Sequence, residues 1–183
     1  SEVLGPGDIV THTCSNHVGG LLDNGKLRPE AKAARERGVW FDVGVGRANF
    51  AFDSAKAVMD QGLIPDTISS DVTAAGRLEL VHGLTESMNK FLALSMSLSD
   101  VVRMTTRNSA KVLGMEGEIG GIARGEEADL SVLSLATGDW IFRDPTGGTA
   151  TSTQAIVPEF AVRTGIPQPL DPGPRPWGWL PES

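Results

Sequence analysis

Gly7-Asp-Ile-Val-Thr-His-Thr13, Val39-Trp-Phe-Asp-Val-Gly-Val-Gly46 and Asp66-Thr-Ile-Ser-Ser-Asp71 are three short apolar runs, each ending in residues suited to a metal or catalytic centre. The first closes on His12, the second on a glycine turn and the third on Asp71. Helix-like segments separate them, so the order strand, helix, strand, helix, strand predicts an α/β fold with parallel strands. In such folds the carboxyl ends of the strands share one rim, and chemistry collects there. His12 and Asp71 are therefore expected to meet at one site.

Working outward, Asp8 to His12 reads as a buried parallel strand, with Val10 and His12 on one face. Cys14 to Arg28 is rich in Gly, Asn and Asp and reads as a long loop. Pro29 suits a first helical turn, and Glu30 to Arg37 follows until Gly38 stops the helix. Val39 to Val43 is the second strand. Asp53 or Ser54 is expected to cap a helix through Gln61, with Ala57 and Val58 inside and Gly62 just past its end. Thr67 to Ser70 is the third strand, and a period of two places Thr67, Ser69 and Asp71 on one face.

Beyond it the pattern turns helical. Leu84, Met88, Phe91 and Leu92 form an apolar stripe, which marks a packed core face. A helix restarts at Ser99 and Asp100, and Thr106 or Asn108 caps a last one ending at Gly114. From Ala128 the chain reads as strand, with further strands at Trp140 to Phe142 and at Ala155 to Arg163. Pro158 there favours an edge or a bulge. The tail from Pro167 to Pro181 holds six of the eleven prolines and reads as irregular. The expected boundary lies near Met115: residues 1–115 form α/β layers, and residues 116–183 form a small β unit with its tail.

Bulk properties narrow the function. The net charge of −7 and the lack of a Lys/Arg cluster argue against a nucleic-acid surface. The apolar stretches fall far short of the roughly 18 residues that span a membrane. A lone cysteine, Cys14, cannot form an intrachain disulfide, which fits a reducing cytoplasm.

Taken together, these segments resemble the carboxyl-terminal part of a metal-dependent amidohydrolase of the dihydroorotase-like amidohydrolase/deacetylase group. Asp8-Ile-Val-Thr-His-Thr-Cys14 is similar to the late barrel strand that ends in a metal-binding histidine. Gly38 to Gly46 is similar to the next strand, and Leu63-Ile-Pro-Asp-Thr-Ile-Ser-Ser-Asp71 to the last, whose terminal aspartate is metal ligand and catalytic base. Thr106 to Gly114 and Gly120 to Leu133 resemble the exit from barrel to β-sandwich. The resemblance implies the last three strands and helices of a TIM-type (β/α)8 barrel plus part of a β-sandwich. A whole barrel needs about 250 residues. The family's early His-x-His pair is absent, and Val45 stands where the family typically has His. The expectation is a fragment, or one part of a split protein.

By that resemblance His12 and Asp71 are metal ligands, and Asp71 is the general base for a metal-activated water attacking an amide or ester. A divalent metal lowers the pKa of water towards about 7, and an adjacent carboxylate accepts the proton. Zinc is the implied metal, with up to two ions in the complete site. The alternatives for His12 and Asp71 are a hydrogen-bonded core histidine and a turn aspartate. Two ligands are fewer than the roughly three a catalytic zinc uses. His17 is more readily a loop or substrate-side residue, and His82 a capping or solvent-facing one. Arg47 is a candidate contact for a substrate carboxylate, or a solvated loop charge.

Gly44-Val-Gly-Arg-Ala-Asn49 follows a strand as dinucleotide loops do, but Asn49 stands where a third glycine belongs. Cys14 lacks a basic partner and is no nucleophile. The expected partners are a small-molecule amide or ester and either a second copy or a complementing amino-terminal part. The competing expectation is a catalytically silent assembly module that holds no metal.

Overall fold

A computed structural model describes residues 3–78 and 81–170. The chain is α/β. Strand β1 (Ile9–Val10) runs parallel to β4 (Trp40–Phe41), and Asp42 bridges in parallel to Thr67. Backbone bonds continue that pairing upward: Val43 N–H to Thr67 O, Val45 N–H to Ser69 O and Gly46 N–H to Ser70 O. The three expected strands therefore lie side by side, shorter than expected, with β4 in the middle. Ile9 is 47% exposed because β1 has a sheet partner on one side only among the described residues, which corrects the expectation of a buried strand.

Helix α1 (Pro29–Glu36) starts at its proline and ends before Gly38, whose φ of +85° suits glycine. It lays Ala31 and Ala34 on Val39, Phe41, Val58 and Leu63. The preceding segment is not all loop. Strands β2 (Leu22–Asp23) and β3 (Lys26–Leu27) form a tight hairpin around Asn24 and Gly25, both at positive φ.

Helix α2 (Phe52–Asp60) has no local side-chain cap; neither Asp53 nor Ser54 serves. Its first N–H, that of Phe52, is bonded instead by Asp144 Oδ2 at 2.8 Å, from a turn 92 residues away. Burial pushes the Asp144 carboxyl up, but hydrogen bonds from Phe52, Thr146 and Gly148 outweigh it and hold the carboxyl below its ordinary range. A short 3-10 turn (Gly76–Leu78) precedes α3 (Leu84–Ala93), α4 (Leu98–Thr105) and α5 (Arg107–Val112). Helix α4 begins one residue earlier than expected, at Leu98, because the Ser97 hydroxyl caps it by accepting the Asp100 N–H. Within the α3 stripe Met88 and Phe91 are buried, whereas Leu84 is exposed.

The two strands expected around Ser131 and Trp140 are one, β5 (Leu130–Arg143), paired antiparallel with β6 (Thr149–Arg163). An irregularity at Gly138 and Asp139 lets the pairing resume at Trp140. A second register shift places Leu133 opposite Pro158, the bulge anticipated there. Strand β7 (Ile166–Gln168) adds an edge, so the irregular tail does not begin at Pro167; its remainder from residue 171 lies outside the described residues.

Asn89 of α3 docks on β6 like a strand, donating to Ile156 O and accepting from Ile156 N–H. Phe50, Phe52, Phe91, Ile68, Trp140 and Ile156 then share one apolar cluster between the parallel strands, the helices and the hairpin. Phe50 meets Phe52 and Phe91 edge-on at 5.2 and 5.8 Å. No helix among the described residues is long and apolar enough to cross a membrane.

Candidate active site

Asp42 organises the floor of the site. Its carboxylate accepts hydroxyl bonds from Thr11, Thr67 and Ser69 at 2.7–2.8 Å, tying the three parallel segments together just below their carboxyl ends. Thr11 is followed by His12, and Ser69 lies two residues before Asp71. One carboxylate thus registers both strands that carry the candidate ligands.

Above this floor the backbone leaves strand geometry. His12 has φ +60° and Asp71 φ +47°. Left-handed backbone is uncommon for residues other than glycine, and such positions concentrate at functional sites. The turn at His12 breaks the alternation expected from Val10: Val10 packs against the α1 cluster, whereas the imidazole reaches across to the β4 turn. There His12 Nδ1 lies 2.9 Å from Gly44 O, so Nδ1–H donates to that carbonyl. With Nδ1 donating, the neutral ring presents its lone pair at Nε2, the arrangement a metal-ligating histidine uses.

Nε2 points at Asn49 Nδ2, 3.4 Å away, and the same amide nitrogen donates to Asp71 Oδ2 at 3.1 Å. The imidazole and carboxylate therefore flank one amide group and can be no farther apart than the sum of those two lengths. The structure brings His12 and Asp71 together, with Asn49 as the residue that sequence reasoning missed.

The glycines of the β4 turn make this approach possible. A Cβ on Gly44 would lie 2.6 Å from His12 Nδ1, and one on Gly46 would lie 2.4 Å from Asp71 Oδ2. Both residues also have positive φ, +53° and +54°. Gly46→Ala is expected to destabilise the chain by about 1–2 kcal/mol through its left-handed backbone alone and to push the Asp71 carboxylate off Asn49. Urea unfolding measures the first effect, and loss of the Asn49 side-chain amide shift in NMR spectra measures the second.

The remaining candidates separate clearly. Arg47 is exposed on the same turn, its Cβ 3.2 Å from where a Gly76 Cβ would stand. His17 is exposed and lines a cavity of 370 Å³ with Ser15, Asn16 and Asp53, a lining that includes neither His12 nor Asp71. His82 bonds Arg77 O through its ring and Glu86 through its backbone N–H, a helix-entry role. Val45 is fully buried in the apolar cluster and adds packing to the turn. Cys14 is also fully buried, and burial pushes its thiol up to about 12, which keeps it protonated and inert.

As a metal centre the described residues supply a good pair and no more. His12 Nε2 and the exposed Asp71 carboxylate have the chemistry that zinc accepts. No group of three or more His, Cys, Asp or Glu side chains capable of holding an ion occurs among the described residues.

Residues 11–166 match the model of the amidohydrolase family, so most of the chain is covered, and the chain belongs to that family. A deacetylase of Agrobacterium fabrum is 33% identical over 163 residues, which are 88% of this chain and 40% of that protein. A solved dihydroorotase superposes with a TM-score of 0.76 at 30% identity, over 91% of this chain and 43% of that one. A solved adenine deaminase superposes with a TM-score of 0.87 over 91% of this chain and 46% of that one; at 24% identity it speaks for the fold alone. The chain spans 40% of the length of the curated deacetylases it matches. The resemblance read from the strand-end motifs is borne out at the level of the family.

Proposed function

We propose that this chain is the carboxyl-terminal part of a metal-dependent hydrolase that cleaves an amide C–N bond, deacetylase-like, or an ester. In this reading β1, β4 and the Thr67–Ser70 segment are the last three strands of a (β/α)8 barrel. Residues 1–115 belong to the barrel, and residues 116–183 to a β-sandwich and its tail. The observation that carries the reading is the His12 imidazole, pinned through Nδ1 to Gly44 O so that Nε2 faces Asp71 across a single amide.

His12 and Asp71 would hold a divalent metal, zinc by the chemistry of an imidazole and a carboxylate. Such a metal supplies acidity, bringing the pKa of water to about 7. Asp71, exposed at the rim, takes the proton from the attacking water and returns it to the leaving amine. Arg47 on the neighbouring turn pairs with a carboxylate of the substrate. The other ligands come from a complementing amino-terminal part, and a complete site holds one or two ions. Exposed Ile9 on the β1 edge, and Ile141 and Phe160 on the hairpin sheet, suit contact with that part or with a second copy.

The test is elemental analysis together with hydrolysis of N-acetyl amino acids, with and without added zinc and the complementing part. Bound zinc with turnover that depends on His12 supports the reading. Neither, in the complemented protein, establishes the silent assembly module instead.

A further inference from the structure

Asn49 belongs to no motif, yet its amide lies between the two groups on which the proposed site rests. We infer that Asn49 is a latch on the cation site: its side-chain amide and a divalent cation compete for His12 and Asp71. This deepens the metal-hydrolase reading and rests on it.

The exclusion follows from counting lone pairs. With Nδ1–H donated to Gly44 O, the neutral imidazole has one in-plane lone pair left, on Nε2. An Asn49 N–H points at that lone pair from 3.4 Å, and the other proton of the same nitrogen goes to Asp71 Oδ2 at 3.1 Å. A cation ligated by His12 needs the same lone pair, so amide and cation cannot share it. Nor can the amide nitrogen join the coordination, because it is a donor only. The carboxylate has lone pairs to spare, so the imidazole is where the competition is strict.

Location explains how such a latch is built. Asn49 sits three residues after Gly46, and its Nδ2 would stand 3.1 Å from a Cβ at that position. The same missing side chain that admits Asp71 therefore also admits the amide. Phe50, the next residue, is fully buried, which anchors the base of the Asn49 side chain while its tip stays at the rim. The amide keeps imidazole and carboxylate beside one another and sets an N–H dipole against the negative charge of Asp71. Cation binding requires it to swing aside.

The experiment titrates cobalt(II), followed by its visible absorption, into the purified chain, Asn49→Ala, Asn49→Ser and the double variant Asn49→Ala/His12→Ala. Asn49→Ala is expected to bind about three- to tenfold tighter than the unchanged chain, the factor that one net hydrogen bond between partly exposed groups represents. Asn49→Ser, with a shorter reach, should tighten it too, and the double variant should lose the gain. In the ¹⁵N-labelled chain, zinc should move the Asn49 side-chain amide resonance to a solvent-like position, as should His12→Ala without metal. Equal affinity in the unchanged chain and Asn49→Ala, still dependent on His12, overturns the latch and leaves the metal-ligand reading standing. Absence of His12-dependent binding in every variant overturns the latch, and the metal-ligand reading falls with it when the complemented protein binds no cobalt either.

Discussion

Asp71→Asn is expected to lower kcat for amide hydrolysis by about two to four orders of magnitude, the range that a positioned general base contributes, while the melting temperature stays unchanged. The substitution is nearly isosteric, and asparagine enters the left-handed region as readily as aspartate, so the φ of +47° at this position is kept. Asp71 is exposed and its side chain accepts one hydrogen bond among the described residues, from Asn49. Little folding energy therefore hangs on it. What changes is chemistry: an amide oxygen cannot take a proton at neutral pH and is a poorer metal ligand than a carboxylate. His12→Ala is the informative partner, because it should lose bound metal and turnover together. The measurement is steady-state kinetics of the complemented protein beside its metal content; full turnover in Asp71→Asn would remove this carboxylate from the reaction.

Local signals served well where the structure is locally determined. Pro29 and Gly38 bracket α1 because a fixed φ opens a helix and a positive φ closes one. The Asn24-Gly25 hairpin follows the same rule, since that pair supplies two positive φ angles in a row, although the polar residues around it read as loop. Other features were hidden for a physical reason. The group that bonds the first N–H of α2 is Asp144, and no local pattern announces a carboxylate 92 residues away. Gly138 and Asp139 read as a break between strands, yet pairing with β6 carries β5 through them. In each case tertiary contact outweighed local preference.

The site divides the same way. His12 and Asp71 stand out because each ends a short apolar run at what must be the strands' carboxyl rim. Their left-handed backbones, and with them the swing of His12 out of register with Val10, break the period of two and so could not be read from alternation. Asp42 looked like an ordinary strand residue, although three hydroxyls converge on it. In the sequence Asn49 stands only where a dinucleotide loop would have its third glycine. Its position between the two candidate ligands becomes visible once Gly44 and Gly46 have folded the turn over them.

Lys90→Met should be the most destabilising single change, about 3–5 kcal/mol, a large part of the roughly 5–15 kcal/mol that holds a domain together. Lys90 is fully buried on α3, 3.0 Å from Glu86 Oε1, and donates to Arg143 O at 2.7 Å. Methionine keeps the stem but leaves the Glu86 carboxylate, which is only 5% exposed, without its ammonium partner, while the His82 backbone N–H still donates to Oε2. His82 decides how much of that cost is felt. Its Nε2 lies 3.5 Å from Glu86 Oε2, and burial, aided by the Lys90 charge, holds its imidazole below the usual value. Removing the ammonium removes one obstacle to protonation and leaves Glu86 seeking a cation, so the folded variant binds a proton at His82 more readily than the unchanged chain does. Because a proton bound more tightly by the folded state stabilises it as pH falls, the loss measured by urea unfolding should be smaller near pH 5.5 than near pH 8. An identical loss at both would show that His82 does not stand in for Lys90. The damage should also be confined to the joint between α3 and the end of β5, so His12-dependent cobalt binding under native conditions should survive Lys90→Met, separating the forces that hold the hairpin from those that shape the rim.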